Sequence, residues 1–170
     1  MLRSRDYSMP LAKKLVKELE VADFGLFLHS DFDDECQRYH LAWMHALRES
    51  LGLPDEKGVL SEMSYLFFSN VGAHTDGTYK VDVPGSPYFG EELLFLNIQL
   101  AGSGRLLVGE PGHEVEHPIG VGQVYLFDPE VRHAWVSTSK GMNRAIAFGV
   151  PKRFAAHLLR HRSQPDWVQC

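Results

Sequence analysis

From Val59 onward the chain breaks into short apolar segments separated by Gly, Pro, Asn and charged residues: VLSEMSYLFFSN, TYKVDV, ELLFLNIQL, RLLVGE, HEVEHPI, QVYLFDP, HAWVST and NRAIAFGV. They are rich in the β-branched and aromatic residues that suit a pleated surface, and they are short for helices. Strands this short bury little by themselves. So many of them at such close spacing must pair and close up as a sandwich or barrel.

The first third of the chain has another character. Pro10 stands at a natural first helical position after Ser8, and Leu11, Leu15 and Leu19 recur at helical spacing; Lys13, Lys14 and Lys17 fall on the other, solvated face. ADFGLFLH reads as a short strand. The next segment, SDFDDECQRYHLAWMHALRESLG, is a helix with Ser30 and Asp33 in a capping pattern, a stripe of Phe32, Cys36, Tyr39, Trp43 and Leu47, and Gly52 at its close. PKRFAAHLLRH, opening on Pro151, is a terminal helix. Helices come first and strands second, so the expected fold is one α+β, β-rich domain. Residues 1–58 form a helical support with a short strand, 59–150 the β-core, and 151–170 a terminal helix and tail.

Charge and cysteine usage narrow the class. A net charge of -5 with pI near 6.0 argues against a duplex nucleic-acid partner, whose footprint is usually basic. Cys36 and Cys170 make neither a metal spacing nor a disulfide framework, and the N-terminal residues lack the apolar centre of a signal peptide. No apolar run approaches the roughly 20 residues of a membrane span. A cytoplasmic protein of unknown oligomeric state, with no membrane partner, is expected.

Chemistry concentrates in NVGAHTDGTYKVD, where His74 and Asp76 follow an apolar run. Residues two apart on extended backbone point the same way, so imidazole and carboxylate can share one ion. His29 and Asp31 repeat the spacing, but Asp31 belongs to a helix N-terminus and has no strand-borne partner. A third ligand for the first pair is available in His133, at the start of a later strand. Two histidines and one carboxylate with open positions describe the facial triad of non-haem Fe(II) oxygenases. Arg144 follows on what should be the neighbouring strand, where a buried guanidinium calls for an anion and suits a carboxylate.

The order HxD, distant His, then Arg about ten residues later resembles the Fe(II)/2-oxoglutarate-dependent dioxygenases, the prolyl-hydroxylase-like branch in particular. LLFLN with the Gly-rich GSGRLLV, and HPIGVGQVYLFDPEVRHAW, resemble that branch's central strand and its run to the distal histidine. The resemblance covers roughly Tyr65 to Val150. It implies a double-stranded β-helix, jelly-roll and cupin-like, backed by the N-terminal helices. It implies Fe(II) held by His74, Asp76 and His133, and 2-oxoglutarate as co-substrate with its distal carboxylate on Arg144. Tyr65 matches a tyrosine that supports that carboxylate, and Asn97 an asparagine of the central strand. The sequence departs from the pattern at Ile146, where many members have Ser or Thr two residues after the arginine, and at Gly102-Ser103-Gly104, which replaces a Gly-Gly pair.

The activity so implied is hydroxylation, with oxygen, of an unidentified substrate: a protein side chain such as proline, or a small molecule. The segment from Tyr79 to Glu92, mixing Pro, Gly and aromatics, is a candidate substrate lid, with Tyr79, Tyr88 and Phe89 as its lining. His113 and His117 alternate with acids in a loop framed by Gly112 and Pro118, which reads as exposed. GQVYLFDPEVRH also resembles the second cupin motif, so the competing reading is a cupin-type metal-dependent dioxygenase or isomerase without 2-oxoglutarate. A non-catalytic metal-binding module is the third.

Overall fold

The short segments pair, all antiparallel, into two sheets. They are seen in a computed structural model that describes residues 47–49 and 51–161 and a two-residue strand at 9–10; the side chains at 9–10, 61–65 and 159–161 lie outside the description. The strands are β1 (Met9–Pro10), β2 (Ser61–Phe68), β3 (Val71–His74), β4 (Leu93–Ala101), β5 (Gly104–Val108), β6 (Val115–Ile119), β7 (Gln123–Phe127), β8 (His133–Ser137) and β9 (Asn143–Pro151). One sheet runs β1-β7-β4-β9-β2 and the other β3-β8-β5-β6. Along the chain, β2, β4, β7 and β9 fall in the first sheet and β3, β5, β6 and β8 in the second. This is the double-stranded β-helix, or jelly roll.

Period-two alternation divides the larger sheet into two faces. Leu94, Leu96, Ile98 and Leu100 of β4 join Val124 and Leu126 of β7 and Ile146, Phe148 and Val150 of β9 in the main apolar cluster. That cluster also takes in Leu47, Leu51 and Leu53 from one side of the chain and Ala155 and Leu158 of the C-terminal helix (Ala155–His161) from the other. The opposite face of the sheet looks inward. There Tyr125 and Phe127 meet Leu106, Val108 and Trp135 of the second sheet in a smaller cluster.

The β8 wall is close-packed. A methyl group added at Gly104 would lie 2.4 Å from Trp135 Cε2, and an indole held between sheets cannot swing away cheaply. Gly104→Ala is therefore expected to lower stability by about 1–3 kcal/mol, the usual range for overpacking. A denaturant midpoint unchanged from wild type would show that the indole yields.

The structure corrects some sequence expectations and leaves others outside the described residues. Pro10 does not begin a helix but ends β1, pairing with Gln123 at the edge of the sheet, where a residue without an N–H is tolerated. TYKVDV alternates like a strand but forms only an isolated bridge, Lys80 to Glu92, before the turn at Pro84 and Gly85. The strand leading into the HxD motif is two strands: at Ser69 and Asn70 the chain crosses between sheets, and Asn70 Oδ1 accepts the Ser137 N–H at 2.8 Å. Residues 47–49 are helical and Gly52, at φ 63°, donates to the Glu49 carbonyl, ending that helix where the sequence placed its stop. Pro151 closes β9, and the terminal helix follows one short 3₁₀ turn, Lys152–Phe154. The helix through Leu11 and Leu19, the strand ADFGLFLH, and His29 with Asp31 fall outside the described residues. Among the described residues no helix is long and apolar enough to cross a membrane.

Candidate metal centre

His74, the last residue of β3, stands directly opposite His133, the first residue of β8. Opposed residues on adjacent antiparallel strands share a face, and the two rings lie 4.5 Å apart between centroids. Two residues beyond His74 the chain leaves the sheet, and the Asp76 N–H bonds the Pro129 carbonyl at 2.9 Å, which fixes its carboxylate beside both rings. His74 Nε2 lies 3.2 Å from Asp76 Oδ1, and His133 Nε2 lies 3.3 Å from Asp76 Oδ2. One donor atom from each residue falls within 4.8 Å of the others.

The backbone decides which ring nitrogen faces this space. His74 Nδ1 donates to the Gly72 carbonyl at 2.7 Å and His133 Nδ1 to the Val131 carbonyl at 2.8 Å. A neutral imidazole with Nδ1–H so engaged presents a lone pair at Nε2. Burial holds His133 below its ordinary pKa, against the opposing pull of the Val131 carbonyl and Asp76, so its neutral form is favoured. Two lone pairs directed at one carboxylate repel unless a cation stands among them. Donor atoms sharing an ion at about 2.1 Å, with bond angles of roughly 90–110°, sit about 3.0–3.4 Å apart, and each Nε2 lies at that distance from one oxygen of the Asp76 carboxylate. The triad fits Fe(II), with its remaining positions open.

Charged groups brace the loop before His133. Lys152 Nζ reaches Glu92 at 2.7 Å, Asp128 at 3.1 Å and Glu130 at 3.4 Å. Burial works against its charge, but the three carboxylates outweigh that and hold Lys152 protonated well above its ordinary range. Glu130 in turn accepts the Thr78 hydroxyl, which with Lys152 lowers its carboxyl pKa. The loop that carries Asp76 and the loop that leads into His133 are thus tied to the end of β9.

Beside the triad, between the two sheets, lies a cavity of about 410 Å³. Tyr79, Phe95, Phe127, Tyr125, Trp135 and Phe68 make a continuous aromatic wall around it, each ring 4.9–6.4 Å from the next between centroids. Asn97 faces the same space, opposite Tyr125 on β7 and Ala147 on β9. Its Oδ1 and the Trp135 Nε1 are buried without a hydrogen-bond partner. The sequence pointed to Asn97 and Tyr79 but not to the rest of this wall, because strand aromatics read equally well as core.

Arg144 is not part of this assembly. It is exposed, pairs with Phe67 and Ala101, and shares the parity of Ile146 and Phe148, whose side chains fill the main apolar cluster. The inward positions of β9 belong to Ala145 and Ala147. The expectation of a guanidinium buried in the barrel is corrected: one residue of register separates Arg144 from the cavity. Among the described residues that line the cavity there is no lysine or arginine. Tyr65 lies opposite Ile146 in the pairing of β2 with β9, and its side chain is outside the description. In the candidate lid, Tyr79 alone of the three aromatics lines the cavity. Tyr88 is buried against Phe154 and under Arg153, with its hydroxyl on Glu56, while Phe89 is exposed. Arg153 to Glu91 and Lys152 to Glu92 pin the segment to the end of β9.

Comparison with known proteins places the fold. No protein-family model matches the chain, and no curated protein matches its sequence. Among solved structures it is similar to a prolyl-4-hydroxylase from Pseudomonas putida, at 18% identity and a TM-score of 0.51, over 89% of this chain and 88% of that one. It is also similar to SnoN, a non-haem α-ketoglutarate-dependent epimerase from nogalamycin biosynthesis, at 13% identity and a TM-score of 0.52, over 88% and 78% of the two chains. The likeness to both is one of fold.

Proposed function

We propose that the protein is a mononuclear Fe(II)-dependent dioxygenase that takes a 2-oxo acid as co-substrate and hydroxylates a substrate admitted through the mouth near Tyr79. The observation that carries this reading is the convergence of two Nε2 lone pairs and one carboxylate in a jelly roll, with both Nδ1 atoms committed to backbone carbonyls. His74, Asp76 and His133 would hold the metal. Iron with a bound 2-oxo acid supplies oxygen activation in such a site. The protein's own part is to fix three ligands and leave the other positions open, to orient the rings through Gly72 and Val131, and to shield the reacting space from water with the aromatic wall.

2-Oxoglutarate itself is the co-substrate that the resemblance implies, and the fold likeness supports it. The cavity supplies no cation for its distal carboxylate among the described residues, and that favours the cupin-type alternative, in which a metal acts without 2-oxoglutarate. Anaerobic addition of Fe(II) and then of a 2-oxo acid, either 2-oxoglutarate or an arylpyruvate, separates the two. A weak visible charge-transfer band that needs both components is expected. Absence of the band with either acid, in protein that binds Fe(II), would favour the cupin reading.

A further inference from the structure

The wall of the cavity says more about the ligand than the triad does. Its six rings form one apolar surface running from Tyr79 at the mouth to Trp135 and Phe68 at the far end. Apart from the triad, the polar side-chain atoms described there are neutral: the Asn97 amide, the Tyr79 and Tyr125 hydroxyls and the Trp135 indole N–H. Just beyond the Gly102–Gly104 turn the interior stays neutral as well. Gln99 Nε2 donates to the Ala101 carbonyl at 2.8 Å and to Asn143 Oδ1 at 3.3 Å, and Asn143 donates to Ser137 Oγ at 3.0 Å. Both amide side chains are fully buried. A second carboxylate brought into this space would be desolvated with no positive partner among the described residues. A ring or branched alkyl group would replace water against aromatic faces.

We propose, on the reading that the triad binds a metal, that the cavity accepts a ligand with a single anionic head and an apolar tail, an aryl-substituted 2-oxo acid fitting better than 2-oxoglutarate. The head chelates the metal, and the tail lies along Phe95, Phe127 and Tyr125. The unpartnered Asn97 Oδ1 and Trp135 Nε1–H suit a ring bearing a neutral polar substituent such as a hydroxyl.

The test is calorimetry on the intact chain loaded with Mn(II), which needs no turnover. Phenylpyruvate, 4-methyl-2-oxopentanoate, 2-oxoglutarate and pyruvate are compared as ligands. Phenylpyruvate is expected to bind about tenfold or more tightly than 2-oxoglutarate, a difference ordinary for the burial of a ring against the burial of an unpaired charge. Phe95 is half-buried, and Phe95→Ala is expected to weaken phenylpyruvate about tenfold while leaving pyruvate, which has no tail, unchanged. 2-Oxoglutarate binding as tightly as phenylpyruvate, or tighter, would overturn the inference and leave the metal site standing. An equal loss for phenylpyruvate and pyruvate in Phe95→Ala would overturn the assignment of the tail to this wall. If the wild-type protein takes up no Mn(II), the reading of the triad fails first and this inference with it.

Discussion

Substituting His74 with alanine is expected to weaken divalent-metal binding by about two orders of magnitude or more, while the protein remains folded. Loss of a group that only orients a ligand already costs roughly 10–100-fold in many metal sites, and here a ligand itself is removed from a set of three. The fold should survive because the His74 side chain is 40% exposed and belongs to neither apolar cluster. Asp76→Asn should act in the same direction, since it removes the one anion between the two Nε2 atoms. Co(II) titration followed by its visible absorption measures the affinity, and a denaturant midpoint measured without metal checks the fold. Unchanged Co(II) affinity in folded His74→Ala protein would remove β3 from the site.

Phe148→Ala should be the costliest single truncation, lowering stability by about 3–5 kcal/mol. Phe148 is the largest fully buried side chain of the main cluster, packed from β9 onto the face covered by Leu47, Leu51 and the C-terminal helix. Arg144→Ala, on the same strand and the same face, should change stability by no more than about 0.5 kcal/mol, as is usual for an exposed side chain. Equilibrium urea unfolding of both variants gives the comparison. A large loss in Arg144→Ala would place that guanidinium in the folded interior after all, and would reopen its assignment to the co-substrate.

The behaviour of β9 shows where the sequence was legible and where it was not. The succession of strands along the chain and the meeting of His74, Asp76 and His133 follow from features that survive small errors of register: apolar runs, turn residues, and candidate ligands at strand ends. His74 and His133 meet because the ends of β3 and β8 are paired, and the extra residue between Val71 and His74 does not disturb that pairing. Arg144 depended on a finer quantity. Whether a strand residue faces the cavity or the outer core changes with a slip of one residue, and β4 carries a bulge between Gln99 and Ala101 just where β9 begins. The sequence did hold a signal. Ile146 occupies a position that is Ser or Thr in many members of the family the motif order resembles, and an isoleucine there belongs in an apolar core. Arg144 and Ile146, two apart on one strand, must share a face, so the isoleucine carries the arginine away from the cavity.

Tertiary context explains two other differences. TYKVDV has the alternation of a strand, yet it lies in the long excursion between the sheets, where Val81 is drawn into the main cluster. Its backbone is satisfied by scattered bonds to Ser86, Gly90, Glu91 and Leu93 rather than by a ladder, and this cannot be seen from propensity. The aromatic wall was equally hidden. Phe95, Phe127 and Tyr125 are spaced as any buried strand residues would be, and only closure of the two sheets shows that they surround open space.

The central claim is that His74, Asp76 and His133 bind one metal through both Nε2 atoms and the carboxylate. The most direct measurement is an anaerobic crystal structure of the Mn(II)-loaded protein, with anomalous scattering to locate the metal. One strong anomalous peak is expected within about 2.0–2.3 Å of His74 Nε2, His133 Nε2 and an Asp76 oxygen, with the remaining positions turned toward the aromatic cavity. A peak at any other group of side chains, or none between these three residues at saturating Mn(II), would contradict it.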